Sequence, residues 1–118
     1  MLATIRIETR HDAPVARISG EIDASNAASF TAQLKDAVPN TAMGLVLDLS
    51  EISYLDSSGV HLIFDVAESL RRRQQVLQLV VGGDSFVGDV LDVVNVRGIA
   101  QTSPTLESAL DALRSADF

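Results

Sequence analysis

Two adjacent serines follow an aspartate in the run Asp56-Ser57-Ser58-Gly59, between a strand-like block at 44–49 and an amphipathic helix pattern at 60–73. Hydroxyl groups in this position lie at a helix N-terminus, where unpaired backbone N–H groups and the positive end of the helix dipole favour an anion. A phosphate placed on Ser57 would be held there and would add a charge of roughly −1.5 to −2. The run is therefore typical of a regulatory switch.

Helix capping alone is the structural alternative for the same run. Asp and Ser are preferred N-cap residues, and Gly relieves crowding where a loop meets a helix. If Ser58 opens the helix, its hydroxyl is engaged in capping while Ser57 stays in the loop. Capping does not account for two adjacent hydroxyls directly after an acid, so a switch remains the functional interpretation.

A nucleophilic serine hydrolase is the enzymatic alternative, and it requires a base and an oxyanion arrangement around the serine. The pattern Gly-x-Ser-x-Gly is absent, since Tyr54 and Leu55 precede Asp56. The two histidines are His11, in a turn, and His61, on the polar side of its helix. The sequence therefore predicts a protein that is not an enzyme and has no catalytic residue.

Neither a cofactor nor a metal site is predicted. The run at 82–85 lies between a strand and a helix but lacks the Lys of a P-loop and the spacing of a dinucleotide fingerprint, so we interpret it as a turn and cap. The carboxylates of Asp12, Asp23, Asp56 and Asp65 do not have the spacing of a metal-binding loop. The sequence contains no cysteine, which excludes disulfides and thiolate ligands.

Composition narrows the class of protein further. The 118 residues predict a single domain over 1–118, and the 47% apolar content predicts a folded core. A net charge of −7 argues against direct nucleic-acid binding, which needs a concentrated basic surface. The N-terminus has no signal-peptide core and no segment reaches membrane-spanning length. We expect a cytoplasmic protein that does not insert into membranes.

The hydrophobic pattern predicts the element order β-β-α-β-α-β-α-β-α. Repeated βα units imply an α/β fold with a mixed, mostly parallel five-stranded sheet, an antiparallel first strand at one edge, and about four helices chiefly on one face. Strands are predicted at 4–8, 15–19, 45–49, 76–81 and near 98–100, with a turn at 11–14. Helices are predicted to start at Ser25 or Asn26, near Val60, at Asp84 or Ser85, and at Ser103-Pro104. Their predicted apolar faces are Ala27, Phe30, Leu34 and Val38; Val60, Ile63, Ala67 and Leu70; Phe86, Val90, Leu91 and Val94; and Leu106, Ala109, Leu110 and Leu113.

Two motifs together resemble the STAS domain of bacterial anti-sigma factor antagonists. Gly20-Glu21-Ile22-Asp23 precedes the first helix and Asp56-Ser57-Ser58-Gly59 precedes the second. Residues 44–50, with Ile52, Tyr54 and Leu55, resemble the third strand and following loop of that family. The resemblance extends over about residues 4–113 and implies a STAS fold.

The resemblance also implies phosphorylation-controlled partner switching. In such antagonists the serine directly after the aspartate, here Ser57, is phosphorylated by the anti-sigma factor, an ATP-dependent Ser/Thr protein kinase. The unphosphorylated form binds the anti-sigma factor and releases the sigma factor, and a Ser/Thr phosphatase restores it. A dianion beside Asp56 and Asp23 is expected to break the interface by repulsion and desolvation. The expected partner-binding residues are Asp23, Asp56, Ser57, Ser58, Gly59 and His61.

One position departs from the family pattern. Many members carry a second glycine where this chain has His61, and a bulkier side chain there bears on which partner fits. The alternative role within the family is an adaptor subunit of a lipid-transport or transporter-regulating assembly. The sequence leaves the oligomeric state open between a monomer and a weak dimer.

Overall fold

A computed structural model describes residues 3–82 and 85–115, and in these residues five strands and four α-helices form one α/β unit. The strands are β1 (Thr4–Arg10), β2 (Ala13–Ile22), β3 (Gly44–Leu55), β4 (Val76–Val80) and β5 (Gln101–Ser103). The helices are α1 (Ala27–Asp36), α2 (Ser57–Arg72), α3 (Phe86–Val93) and α4 (Leu106–Ser115). A short 3-10 helix spans Val96–Gly98.

The five strands lie in the sheet order β1-β2-β3-β4-β5. β1 pairs antiparallel with β2, and the remaining neighbours pair in parallel. The predicted mixed sheet with an antiparallel edge strand is therefore confirmed. The hairpin turn is tighter than predicted, because only His11 and Asp12 lie between the strands, and both have positive φ, at 51° and 65°. Two central residues with positive φ are the arrangement of a type I′ turn, whose twist matches that of the flanking strands.

The first half of β3 is buried on both faces of the sheet, as its nearly continuous apolar run indicates. Leu45, Leu47 and Leu49 pack on the side that α1, α2 and α3 cover. Val46, between them, points to the other side, where α4 packs. Three helices on one face and one on the other agree with helices placed chiefly on one face. The α4-side cluster is formed by Ala13, Val15, Val46, Val80, Ala109, Leu110 and Leu113.

The first helix follows the prediction closely. α1 begins after its N-cap residue Asn26, and the predicted stripe of Ala27, Phe30, Leu34 and Val38 is buried. The start of α3 is also confirmed at Ser85, whose Oγ accepts a hydrogen bond from the Gly88 N–H at 3.0 Å. The other predicted start, Asp84, lies outside the described residues.

Three local predictions in the C-terminal third are wrong. Phe86 is 50% exposed, because α3 turns Val87 and Leu91 to the core instead. The last strand occupies 101–103 rather than 98–100, where the chain forms the 3-10 helix and its exit. Ser103 therefore ends β5 and does not cap α4. Thr105 has that role, since its Oγ1 accepts a hydrogen bond from the Ser108 N–H at 3.1 Å.

The junction between β3 and α2 differs most from the prediction. β3 does not stop at residue 49 but continues to Leu55, because its polar second half stays paired with β2 as far as Ile22. Register shifts between Arg17 and Ser19 and between Gly20 and Glu21 accompany this extension. α2 begins at Ser57, three residues before the predicted start at Val60. Only Asp56 therefore separates strand from helix.

Candidate functional site

The motifs at 20–23 and 56–59 meet at the end of the sheet where β2 and β3 have their carboxyl ends. Ile22 and Leu55, the last residues of β2 and β3, are partners in the parallel register. The Asp56 N–H extends this pairing by donating to the Ile22 carbonyl, with an N···O distance of 3.4 Å. Asp23 and Asp56, one residue beyond each strand, are thus held side by side at the carboxyl ends of the strands.

Asp56 caps helix α2. Its Oδ1 accepts hydrogen bonds from the Ser58 N–H at 2.8 Å and the Gly59 N–H at 3.3 Å. These bonds satisfy two of the backbone donors that a helix N-terminus leaves unpaired. The expectation that Ser58 caps the helix and Ser57 stays in the loop is therefore wrong, because Ser57 and Ser58 are the first two helical residues.

The two serine hydroxyls differ in their access to solvent. Ser57 is exposed, whereas Ser58 is half-buried. Neither hydroxyl has a hydrogen-bond partner among the residues that the structure describes. The Ser57 side chain is thus free to rotate and accessible at the first position of the helix.

Gly59 has a packing role at this junction. A Cβ at residue 59 would lie 2.3 Å from Leu55 Cδ1 and 3.2 Å from Ile22 Cγ2. The missing side chain lets the first turn of α2 approach the ends of β2 and β3 closely. Gly59 therefore acts on the site indirectly, by setting how near Ser57 lies to the sheet edge.

Two clefts flank the first turns of α2, and Ser57 and His61 line both. The cleft between α1 and α2 has a volume of about 490 Å³, and the cleft between α2 and α3 about 600 Å³. No Lys or Arg is among the described residues that line either cleft. The α1 side consists of small side chains, and the α3 side is apolar through Val60, Phe64, Val90 and Val94.

His61 lies one helical turn after Ser57 and is exposed. No hydrogen bond joins its imidazole to the Ser57 hydroxyl or to any other described group. The next residue on this face, Asp65, pairs instead with Lys35 of α1, with an Nζ···Oδ1 distance of 2.9 Å. The nucleophile–base contact that a serine hydrolase needs is thus absent from the described part of the chain.

Asp23 forms a compact turn before α1. Its Oδ1 accepts hydrogen bonds from the Ser25 hydroxyl and from the Ser25 N–H, the latter at 2.9 Å. The hydroxyl and then the backbone bond from Ser25 hold the pKa of the Asp23 carboxyl below its ordinary value of 3.8. Asn26 closes the turn, since its Oδ1 accepts from the Asp23 N–H at 3.1 Å and its Nδ2 donates to the Glu21 carbonyl at 2.9 Å. Asp23 is therefore a fixed negative charge beside the clefts.

Sequence reasoning missed the contribution of α3. Val90 and Val94 were predicted to be core residues, but both are only half-buried and form a wall of the second cleft. The spacing of four residues places them on one face of the helix, yet an apolar pair gives no indication of whether it packs in the core or lines a cleft. The first cleft was missed for a similar reason, because Ala24 and Ala28 lack any chemical signature.

The described residues, 3–82 and 85–115, contain neither a helix that could span a membrane nor a cluster of metal ligands. None of their helices is long and apolar enough to cross a membrane. None of their His, Asp and Glu side chains come together in a group of three or more that could hold a metal ion.

Comparison with known proteins identifies the family. The STAS domain family matches residues 4–109, and the chain belongs to it. An anti-sigma-B factor antagonist from Listeria monocytogenes is 32% identical over 89 residues, which cover 69% of this chain and 78% of that protein. A putative anti-sigma factor antagonist, BtrV, from Bordetella bronchiseptica is 28% identical over 86% of this chain and 87% of its own.

A solved structure agrees with this assignment. The crystal structure of an anti-sigma factor antagonist from Mycobacterium paratuberculosis superposes with a TM-score of 0.84 at 26% sequence identity. The superposition covers 96% of this chain and 95% of the other. The STAS fold predicted from the two motifs is therefore confirmed.

Proposed function

We propose that this protein is an anti-sigma factor antagonist that works by phosphorylation-controlled partner switching. Its unphosphorylated form binds an anti-sigma factor with Ser/Thr kinase activity, which then releases its sigma factor and so regulates transcription. Transfer of the ATP γ-phosphoryl group to the Ser57 hydroxyl ends this complex. A Ser/Thr phosphatase hydrolyses the phosphate ester and restores the binding form.

The observation that carries the proposal is the position of Ser57. Its hydroxyl is exposed at the first residue of α2, has no partner among the described residues, and lines the clefts on both sides of the helix. A kinase can reach such a hydroxyl without unfolding the site. A partner that covers either cleft also covers Ser57, so modification and binding compete for the same surface.

The charges around Ser57 favour a switch that acts on the interface and spares the fold. A phosphate on Ser57 lies at the positive end of the α2 dipole, where a negative charge stabilises a helix by about 0.3–1 kcal/mol. The same phosphate lies near Asp23 and Asp56, and the described residues lining the clefts include no Lys or Arg to neutralise it. Covering this concentrated charge with a partner carries a large desolvation penalty.

Exposure favours Ser57 over Ser58 as the acceptor. The Ser58 side chain is half-buried and lines only the cleft between α1 and α2. Ser57 lies at the same N-terminal end of the α2 dipole, and its side chain is more exposed than that of Ser58.

We assign partner contact to the exposed surface around Ser57. Asp23 and Asp56 supply negative charges at the carboxyl ends of β2 and β3, and the His61 side chain, like Ser57, lines both clefts. Ser58 contributes by lining the cleft between α1 and α2, and Gly59 by holding α2 close to the sheet. In a partner that fits glycine at position 61, the imidazole would collide, so His61 selects among anti-sigma factors.

Reconstitution with the purified partner tests this function. The tagged protein is used to isolate its binding partner from source cells, and the partner is then incubated with the protein and ATP. We expect a single phosphate on the peptide that contains Ser57 and release of the partner. Ser57→Ala, which removes the acceptor oxygen only, should bind and resist release. Ser58→Ala is the matched control and should be phosphorylated and released like the parent.

Two outcomes would overturn the proposal. One is phosphate on Ser58 with Ser57 unmodified. The other is recovery of membrane transport components without any ATP-dependent kinase, which would support the adaptor role instead.

A further inference from the structure

The edge of the sheet at β1 carries charges of alternating sign on one face. β1 is the antiparallel edge strand, and its main neighbour is β2. Six of its seven residues are exposed, and Ile7 at its centre is 44% exposed. The outer row of backbone N–H and C=O groups of such a strand is able to pair with another strand.

Arg6 and Glu8 are left without partners on this edge. Both side chains are exposed, and neither forms an ion pair or hydrogen bond with any residue that the structure describes. Across the hairpin, Arg6 lies opposite Arg17, whose Nε is paired with Asp48 at 3.1 Å. Glu8 lies opposite Val15. Neither charge has a complement among the described residues of its own chain.

We propose that β1 is a self-association surface that binds β1 of a second copy of this chain. The two strands run antiparallel about a two-fold axis at Ile7, and the two sheets join into one. Arg6 of each copy then lies opposite Glu8 of the other. The partner is a second copy because the charges of this edge are complementary to those of an identical edge. An unrelated strand would need the same arrangement of charges to pair equally well.

The register follows from geometry. When two copies of a strand pair antiparallel about a two-fold axis perpendicular to the sheet, residues at equal distances on either side of the axis lie opposite each other. All seven residues, 4–10, are paired only if the axis passes through residue 7. That register places each Arg6 opposite a Glu8 and Ile7 opposite Ile7. Moving the axis to residue 6 or 8 places Arg6 opposite Arg6, or Glu8 opposite Glu8. Opposite charges directly across an antiparallel pair are stabilising, and like charges are destabilising.

Charged edges commonly prevent such pairing, because side chains of one sign repel their own copies. Here the alternation of Arg6 and Glu8 reverses that effect in the fully overlapped register. A seven-residue strand buries less area than a standard protein interface, so the dimer is weak and forms with rising concentration. β2 separates β1 from β3, which leads to Ser57, so the inference does not depend on the proposed function.

Sedimentation equilibrium of charge-reversed variants tests the pairing. The parent should show a concentration-dependent mass that rises toward that of a dimer. Arg6→Glu gives an edge with two acids and Glu8→Arg gives an edge with two bases. Each alone should weaken self-association by roughly ten-fold or more, since two symmetric pairs are lost at once. An equimolar mixture of the two variants should restore the dimer mass.

Two further variants serve as controls. The double variant Arg6→Glu with Glu8→Arg exchanges the charges and should associate like the parent. Arg10→Glu changes a charge on the same face of β1, but Arg10 lies opposite Thr4 in this register and the variant should still associate. Circular dichroism verifies that each exposed substitution leaves the fold intact.

Three results would overturn the inference. A parent that stays monomeric up to about 1 mM shows no such interface. Single reversals that associate like the parent place the contact elsewhere. Failure of the mixed variants to recover the dimer rules out this register.

Discussion

Asp56 and Ser58 are joined across the start of α2, where the Asp56 Oδ1 accepts the Ser58 N–H at 2.8 Å. Because the same oxygen also accepts the Gly59 N–H, Asp56→Ala leaves two helix donors without a protein partner. We expect the free energy of unfolding to fall by about 1 kcal/mol, measured by urea denaturation. Asp56→Asn keeps an acceptor oxygen and should lose less. An Asp56→Ala variant with the same free energy of unfolding as the parent would contradict the capping role.

Gly59→Ala should destabilise the protein although alanine is the better helix former. The new Cβ would lie 2.3 Å from Leu55 Cδ1, so α2 must shift away from the sheet. We expect a loss of about 1–3 kcal/mol by chemical denaturation. Gly98→Ala is the matched control, because a Cβ there meets nothing within 4 Å and should change stability little. Equal effects of the two substitutions would show that close packing does not explain Gly59.

The β1–β2 turn offers a stabilising substitution. His11 and Asp12 both have positive φ, which disfavours residues with a Cβ. The double variant His11→Asn with Asp12→Gly has the sequence that type I′ turns prefer. We expect thermal denaturation to show a gain of about 0.5–1 kcal/mol, because relief of the left-handed strain exceeds the chain entropy that glycine costs. Asp12→Ala should not stabilise. A double variant less stable than the parent would argue against this turn.

Much of this fold could be predicted from the sequence because its core pattern is local. The apolar stripe identifies α1 as a helix, and the continuous apolar run identifies the first half of β3 as a buried strand. The junction at Asp56 was less predictable. The second half of β3, between Leu49 and Leu55, is largely exposed and polar, so strand periodicity fades where pairing with β2 continues.

The same limit applies to the site. The sequence left the choice of cap open between Asp56 and the two serines, because Asp and Ser are comparable caps and only the position of the helix start distinguishes them. The clefts depend on how α1 and α3 lie beside α2. That arrangement is set by tertiary packing, which the sequence of one helix does not encode.

The carboxyl of Asp23 allows a test by pH. Hydrogen bonds from Ser25 hold the Asp23 pKa below 3.8, so this carboxyl stays charged in the folded protein at lower pH than in the unfolded chain. Its stabilising contribution is therefore present above about pH 3.8 and is lost as pH falls through the depressed folded pKa.

Ser25→Ala removes the hydroxyl donor and should raise the Asp23 pKa toward 3.8, as followed by the carboxyl carbon shift in an NMR titration. The Glu68 carboxyl, whose pKa the Arg71 guanidinium holds below its ordinary value, serves as the internal reference and should titrate alike in both proteins. An unchanged Asp23 pKa in the variant would show that the Ser25 hydroxyl is not the main cause.

Phosphorylation should weaken binding without weakening the fold. A negative charge at the first residue of α2 interacts favourably with the helix dipole, so protein with phosphoserine at position 57 should melt no lower than the parent. Ser57→Asp should behave in the same direction with a smaller effect on binding, because it carries one charge and a shorter reach. Thermal denaturation thus separates loss of binding from loss of structure.

The most direct test of the account is calorimetric titration of the purified anti-sigma factor into this protein with phosphoserine incorporated at position 57. The Ser57→Ala variant, which carries no charge at this position and should bind like the parent, is titrated in parallel as the matched control. We predict that phosphoserine at 57 weakens binding by roughly a hundred-fold or more, the consequence of several kcal/mol of uncompensated charge at the interface. Binding of this form as tight as that of the unmodified protein would contradict the switch.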